Sequence, residues 1–261
     1  MNIAIVTGAS SGMGRESVIQ LAERFGGSLA EIWVVARRKE RLQELRRRVS
    51  LPLRIFALDL TQRESLTVLE RELEIRKPQV RFLVCAAGTG KMGAIGASLL
   101  ETETGMVRLN CEALCGVTHV TLPWMRPYSR VILYASAAAF LPQPGFGIYA
   151  ATKAFVLSYG RALRAELRGR GIAVTVVCPG AVKTEFFSTG QMKALPFYKK
   201  LVMADCRKVV RLALQDSRRG RELSVYGPFL NAFRVFVKLI PHGAILRVLP
   251  VQTERIKENE D

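Results

Sequence analysis

Two sets of residues in this 261-residue chain have the types and spacing that chemistry needs. The first is Tyr149-Ala150-Ala151-Thr152-Lys153. On a helix, positions i and i+4 share a face, so the phenol and the ammonium would stand together. The ammonium stabilises phenolate and lowers a tyrosine pKa that starts near about 10. Such a pair can act as general acid or base closer to neutral pH. Alone, the Tyr-x-x-x-Lys spacing is common by chance and is more often a surface pair.

The second set is a glycine loop, Thr7-Gly8-Ala9-Ser10-Ser11-Gly12-Met13-Gly14-Arg15, between a strand-like apolar run and a helical pattern. In that setting Gly8 allows a tight turn, Gly12 lets backbone approach a pyrophosphate, and Gly14 lets helix and strand pack closely. The free N–H groups at the helix start then face phosphate. Some twenty residues on, where NAD sites place a carboxylate on the ribose 2′-hydroxyl, this chain has Arg37-Arg38. Guanidinium groups suit a 2′-phosphate, and Arg15 can approach the same group, so NADP(H) is expected over NAD(H). The alternative is that Arg37 and Arg38 only begin a basic surface helix.

These residues need a frame. Apolar runs at 3–6, 32–36, 54–57, 82–85, 131–135 and 173–178 read as strands. Helical patterns at 15–25, 41–49, 63–75, 104–124 and 149–170 lie between them. The alternation predicts an α/β fold, a doubly wound parallel sheet. No linker or repeat divides the chain, so one domain is expected over 1–261.

Taken together the motifs resemble the classical short-chain dehydrogenase/reductase family across nearly all of residues 1–185. The loop from Thr7 to Gly14 resembles its TGxxxGxG motif, and Tyr149 with Lys153 its YxxxK pair. Ser136 is similar to the substrate-orienting serine, and Asn110 to the helix asparagine that completes the tetrad. Asp59-Leu60 resembles the pair that contacts adenine. Pro179-Gly180-Ala181-Val182-Lys183-Thr184 resembles the PGxVxT stretch at the nicotinamide end.

The resemblance implies a Rossmann fold and hydride transfer to or from a carbonyl/alcohol pair. Asn110, Ser136, Tyr149 and Lys153 would be the catalytic set. Tyr149 would donate the proton in reduction, and Ser136 would hold the carbonyl oxygen. Lys153 would bind the nicotinamide ribose and tune Tyr149, while Asn110 would hold a water linking Lys153 to solvent. Gly8, Ser10, Ser11, Gly12, Met13, Gly14, Arg15, Arg37, Arg38, Asp59, Leu60, Ala87, Gly88, Tyr149, Lys153, Pro179, Gly180, Val182 and Thr184 would bind the cofactor. One departure stands out: the family's NNAG reads Cys85-Ala86-Ala87-Gly88 here. The glycine and preceding alanine survive, and the lost polar side chains should alter local hydrogen bonding more than chemistry.

Composition narrows the rest. Hydrophobic residues make up 49% of the chain, which excludes a disordered one. The net charge of +17 could serve a polyanionic cofactor, nucleic acid, an anionic membrane or solubility alone. No nucleic-acid recognition motif is visible, so no nucleic-acid partner is expected. The five cysteines have no CxxC pair and sit among apolar neighbours, which suggests reduced thiols in a cytoplasm. Neither histidine has metal-ligand spacing, so no metal is expected. No basic region precedes the first strand and no apolar run is long enough to span a bilayer, so neither signal peptide nor transmembrane helix is expected.

Substrate signals are apolar. Phe140, Leu141 and Phe146 lie between Ser136 and Tyr149, and the segment 185–205 carries Phe186, Phe187, Met192, Leu195, Phe197 and Tyr198. A lipophilic ketone or secondary alcohol, fatty-acyl or steroid-like, fits such a lining; plain core packing is the alternative. In the extension 229–261, Phe229, Phe233, Phe236 and Ile240 recur at helical spacing, with Arg234 and Lys238 on another face. Such a helix over 229–250 can lie on an anionic membrane, cap the pocket or form a face of a homo-oligomer, dimer or tetramer by resemblance. A cofactor-sensing protein of the same fold with little turnover remains the competing function.

Overall fold

The computed structural model describes residues 1–182, 185 and 203–248. Lys183, Thr184 and nearly all the expected substrate-covering segment lie outside the described residues, as does the tail beyond 248.

The strand β1, Asn2–Thr7, shows why the first apolar run has no polar alternation. Ile3 and Ile5 enter the core on one face of the sheet, and Ala4 and Val6 the core on the other. A strand covered on both sides must be apolar at every position. It is an inner strand, third in a seven-stranded sheet ordered β3-β2-β1-β4-β5-β6-β7, with parallel pairing throughout. The other strands are β2 (Glu31–Ala36), β3 (Leu53–Ala57), β4 (Gln79–Cys85), β5 (Met125–Tyr134), β6 (Ala173–Val177) and β7 (Leu223–Ser224).

Helices cover both faces. On one lie α1 (Gly12–Phe25) and α2 (Lys39–Arg46), through Val18, Leu21, Leu42 and Leu45. On the other lie α3 (Arg63–Arg76), α4 (Leu100–Val107), α5 (Ala113–Thr121) and α6 (Gly147–Leu167); Leu69, Leu114 and Val156 fill that core. The strand order turns back between β1 and β4, and a crevice for ligand opens at the carboxyl ends of the strands there. This is the doubly wound Rossmann arrangement that the alternating pattern predicts.

Three features depart from the sequence expectation. The single helix expected over 104–124 is interrupted by a π-helical turn, Arg108–Glu112, with Asn110 and Cys111 buried inside it. β5 starts at Met125, earlier than expected, and contains Tyr128 at φ +69 in a polar stretch that no apolar pattern marks. Helix α7 (Cys206–Arg218) and the two-residue β7 were not anticipated. In α7, Val209, Val210, Ala213 and Leu214 are buried, but Arg207, Lys208 and Arg211 sit among them and dilute the signal.

At the C-terminal end, α8 (Pro228–Leu239) and α9 (His242–Val248) confirm a helical extension. The face predicted for α8 is divided. Val237 is buried and Leu230 and Phe233 pack on the core, whereas Phe229, Val235, Phe236 and Leu239 are exposed.

Candidate active site

The glycine loop is built around two close approaches. Gly8 has φ +67, and a Cβ there would lie 2.7 Å from the backbone of Ala86. A Cβ on Gly14 would lie 2.3 Å from the Gly8 carbonyl oxygen. Neither site tolerates a side chain without backbone movement. Ser11 occupies the N-cap of α1 but makes no side-chain cap, so the first-turn N–H groups have no side-chain partner there. Its hydroxyl instead accepts from Arg38 Nη2 at 2.7 Å.

Arg38 also reaches Ser10 Oγ through Nε at 3.3 Å and Nη2 at 3.0 Å. Its Nη1 donates to Glu185 at 3.2 Å, and Arg41 donates to the same carboxylate oxygen. Arg37 points elsewhere, pairing with Asp59 at 3.8 Å from a largely exposed position. Burial pushes the Asp59 carboxyl up, but the Thr61 N–H and hydroxyl, with Arg37, outweigh it and hold it below the usual range. A cavity of about 320 Å³ joins these groups. Gly8, Ser10, Ser11, Gly12, Met13, Gly14, Arg37, Arg38, Asp59, Leu60, Ala87 and Gly88 line it, as expected from sequence. Arg15 does not line it; its backbone N–H is engaged at Ser11 O, and its charge is felt at Cys206.

The catalytic candidates converge beside this cavity. Tyr149, Lys153 and Asn110 are all buried. Lys153 Nζ donates to the Tyr134 carbonyl oxygen at 2.9 Å and lies 5.6 Å from the Tyr149 ring centroid. The Ser136 side chain lies close enough to the Tyr149 phenol to favour its ionised form. Ser136 also caps the short turn that follows β5, accepting from Ala138 N–H at 3.2 Å. The π-helical turn aims Asn110 at its partners: Nδ2 donates to Thr89 O (2.9 Å) and Thr152 Oγ1 (3.0 Å), and Oδ1 accepts from Thr89 N–H (2.9 Å). π-bulges are frequent at functional sites for this reason.

Electrostatics differ from the expectation in one respect. Burial pushes the Tyr149 phenol up to about 12, against the opposing effect of the Ser136 side chain. Burial likewise brings Lys153 down to about 8, with Cys111 and Cys178 acting the other way. In this environment loss of water outweighs the attraction between the two groups. Tyr149 therefore holds its proton through the neutral range.

A dinucleotide fits these residues. Gly88 faces the catalytic end, where a Cβ would come 3.1 Å from Asn110 Oδ1 and 3.3 Å from Lys153 Nζ. The backbone beside it is fixed by Thr7, whose Oγ1 accepts from Ala86 N–H and Ala87 N–H, each at 3.1 Å. Cys85, before them, is buried, and its thiol is pushed up to about 12, so it packs and does not react. On the far side, Pro179 O accepts from Ala137 N–H at 2.8 Å, Val182 bridges to Ala204, and a Cβ on Gly180 would meet Leu230 of α8 at 2.9 Å. Thr184 falls outside the described residues.

Residues 2–193 match the short chain dehydrogenase family. The chain belongs to this family. It is an oxidoreductase of the short-chain dehydrogenase type. It is 33% identical over 192 residues to sulfoacetaldehyde reductase 2 of Chromohalobacter salexigens, covering 71% of this chain and 74% of that one. It is also 33% identical over 195 residues to the NADP-dependent 3-hydroxy acid dehydrogenase YdfG of Escherichia coli, covering 73% and 77%. Among solved structures, a short-chain dehydrogenase from Sphingobium yanoikuyae in complex with NADPH superposes with a TM-score of 0.78 at 25% identity, covering 98% of each chain.

Within this short-chain dehydrogenase, several site residues were not read from sequence. Arg41 follows Arg38 by one helical turn, a spacing that could have flagged it. Thr152, inside the Tyr149–Lys153 motif, anchors Asn110. The hydroxyl of Thr7 takes up two backbone donors next to the Cys85 departure. Glu185 had no signal; its contact joins residues 144 apart or more.

Proposed function

We propose that this short-chain dehydrogenase is an NADP(H)-dependent oxidoreductase acting on lipophilic ketones or secondary alcohols. The observation that carries the reading is the buried Tyr149, with the Ser136 side chain close to its phenol and the Lys153 ammonium beside its ring. NADP(H), when bound, supplies or accepts the hydride.

The chain's own residues do the rest. Tyr149 holds a proton through the neutral range and gives it to the carbonyl oxygen in reduction. Ser136 donates to the same oxygen as negative charge grows there. Lys153 supplies positive charge to Tyr149 and is available to the ribose. Asn110 fixes the Thr89 backbone beside Lys153 and keeps open a route for a water that returns the proton. Gly8 to Gly14, with the α1 N–H groups, hold the diphosphate. Asp59, Leu60, Ala87, Gly88, Pro179, Gly180, Val182 and Thr184 position the remainder.

Preference for the phosphorylated cofactor rests on Arg38, which with Ser10 and Ser11 forms a cluster of donors suited to a 2′-phosphate. The NADP-dependent relative is in keeping with this. The apolar substrate rests on Phe146, stacked on Tyr149 at 4.3 Å, and on buried Phe140 and Leu141 nearby. Ile95, beside Gly147, and Leu99 with Leu100 are exposed on the segment leading into α4. Turnover of bulky apolar ketones, compared with sulfoacetaldehyde and 3-hydroxy acids, tests the substrate class; faster turnover of the two small acidic classes would contradict it.

The reading extends to the surroundings. No helix among the described residues is long and apolar enough to cross a membrane. Yet α8 exposes Phe229, Phe236 and Leu239, and no acidic residue occurs between Glu222 and Glu254, while Arg234, Lys238 and Arg247 do. An anionic lipid surface complements both the apolar and the basic side of that face. A homo-oligomer is the expected assembly.

A further inference from the structure

Glu185 stands in the same cavity as the glycine loop, on the side of Ser10, Ser11 and Arg38. Its carboxylate oxygen Oε2 accepts from Arg38 Nη1 at 3.2 Å and from Arg41 Nη1. Arg38 therefore works in two directions: Nε and Nη2 on the serine hydroxyls, Nη1 on the carboxylate. The two arginines form a fork at the start of α2, and the fork grips one anion.

A phosphate ester carries a charge of about −1.5 to −2 and three acceptor oxygens, and it seeks the same N–H groups. Glu185 and a 2′-phosphate cannot both take Arg38 Nη1 and Arg41 Nη1 in full. We propose that Glu185 is a built-in competitor of the 2′-phosphate, and that Arg41 is the second guanidinium of the phosphate fork. Glu185 thereby sets how strongly the chain discriminates NADP(H) from NAD(H). The inference rests on the NADP(H) reading above.

Magnitudes support a competition the phosphate wins. The Glu185 side chain is 51% exposed, and those of Arg38 and Arg41 are 45% and 40% exposed. Exposed ion pairs are weak. Charge-assisted bonds to a more highly charged phosphate are stronger. The hydrogen bond from Arg41, and after it Arg38, hold Glu185 below the usual carboxylate range against the effect of burial, so it is ionised wherever the phosphate would meet it. Because the competitor is part of the chain, dilution does not remove it.

The test is calorimetric titration of the full chain with 2′,5′-ADP and with 5′-AMP, neither of which can turn over. The wild type should bind 2′,5′-ADP more tightly than 5′-AMP. Glu185→Gln should tighten 2′,5′-ADP roughly two- to fivefold, the scale of a lost exposed pair, and leave 5′-AMP unchanged. Arg41→Ala should weaken 2′,5′-ADP alone. If Glu185→Gln leaves 2′,5′-ADP binding unchanged or weaker while the wild type still prefers it, the competition is wrong and the NADP(H) reading stands. If the wild type binds both probes equally, the NADP(H) reading fails and the inference with it.

Discussion

Lys153 donates a hydrogen bond to the carbonyl oxygen of Tyr134, 2.9 Å away. This contact ties α6 to the last residue of β5 and sets the ammonium beside the Tyr149 ring. Helical spacing puts Tyr149 and Lys153 on one face; the Tyr134 carbonyl decides where on that face the charge rests.

A pH dependence follows from the burial of that charge. Burial lowers the Lys153 pKa from 10.5 to about 8. Reductive kcat/KM should therefore fall as pH rises through about 8, as the ammonium beside Tyr149 is lost. Stability should move the other way. Between about 8 and 10.5 the unfolded chain binds the proton that the folded chain has released, so this group stabilises the fold progressively with rising pH. Lys153→Met should lower turnover by about 10²–10⁴ and remove the stability rise. Rate profiles and urea denaturation across pH 7–11 check both, and a kcat/KM that stays level to pH 10 contradicts the assignment.

Cofactor choice should depend on Arg38 more than on Arg37. Arg38 meets both serine hydroxyls, whereas Arg37 pairs with Asp59 in the solvent. Arg38→Ala should weaken NADPH about 10- to 100-fold, the scale of hydrogen bonds to a charged group, with NADH little changed. Arg37→Ala should change the ratio much less. Fluorescence titration with both cofactors reads the difference.

Much of this was legible in the sequence because the determinants are local. Gly8, Gly12 and Gly14 lie within seven residues, Tyr149 and Lys153 within five, and buried strands such as β1 show as unbroken apolar runs. What escaped depends on distant contacts or diluted patterns. The π-helical turn at Asn110 is held by Thr89 and Thr152, which no spacing rule connects to it. Helix α7 hides its buried valines among arginines. The rise of the Tyr149 pKa comes from burial, which the motif does not encode; the attraction of Lys153 was visible, and the loss of water was not.

The Cys85-Ala86-Ala87-Gly88 departure should make Thr7 structurally important. Its hydroxyl accepts from two backbone N–H groups, at Ala86 and Ala87. Thr7→Val should cost about 1–3 kcal/mol by leaving those donors without an acceptor, and Thr7→Ser should restore most of it. Urea denaturation of the three proteins measures this.

The exposed side of α8 should bind anionic vesicles. Flotation with phosphatidylserine-containing vesicles, but not with purely zwitterionic ones, is expected, and high salt should weaken it. Phe229→Ser with Phe236→Ser should abolish flotation without changing turnover of a water-soluble ketone. If the pair instead reduces the mass seen by light scattering and never affects flotation, that face joins copies of the chain.

The most direct test of the central claim is NADPH oxidation against a panel of lipophilic ketones, wild type beside Tyr149→Phe, with NADPH binding followed in parallel. The account predicts turnover by the wild type, turnover lowered by about 10²–10⁴ in Tyr149→Phe, and similar NADPH affinity in both. Undiminished turnover in Tyr149→Phe would contradict Tyr149 as the proton donor, and tight NADPH binding with no turnover of any ketone by the wild type would favour a cofactor-sensing protein.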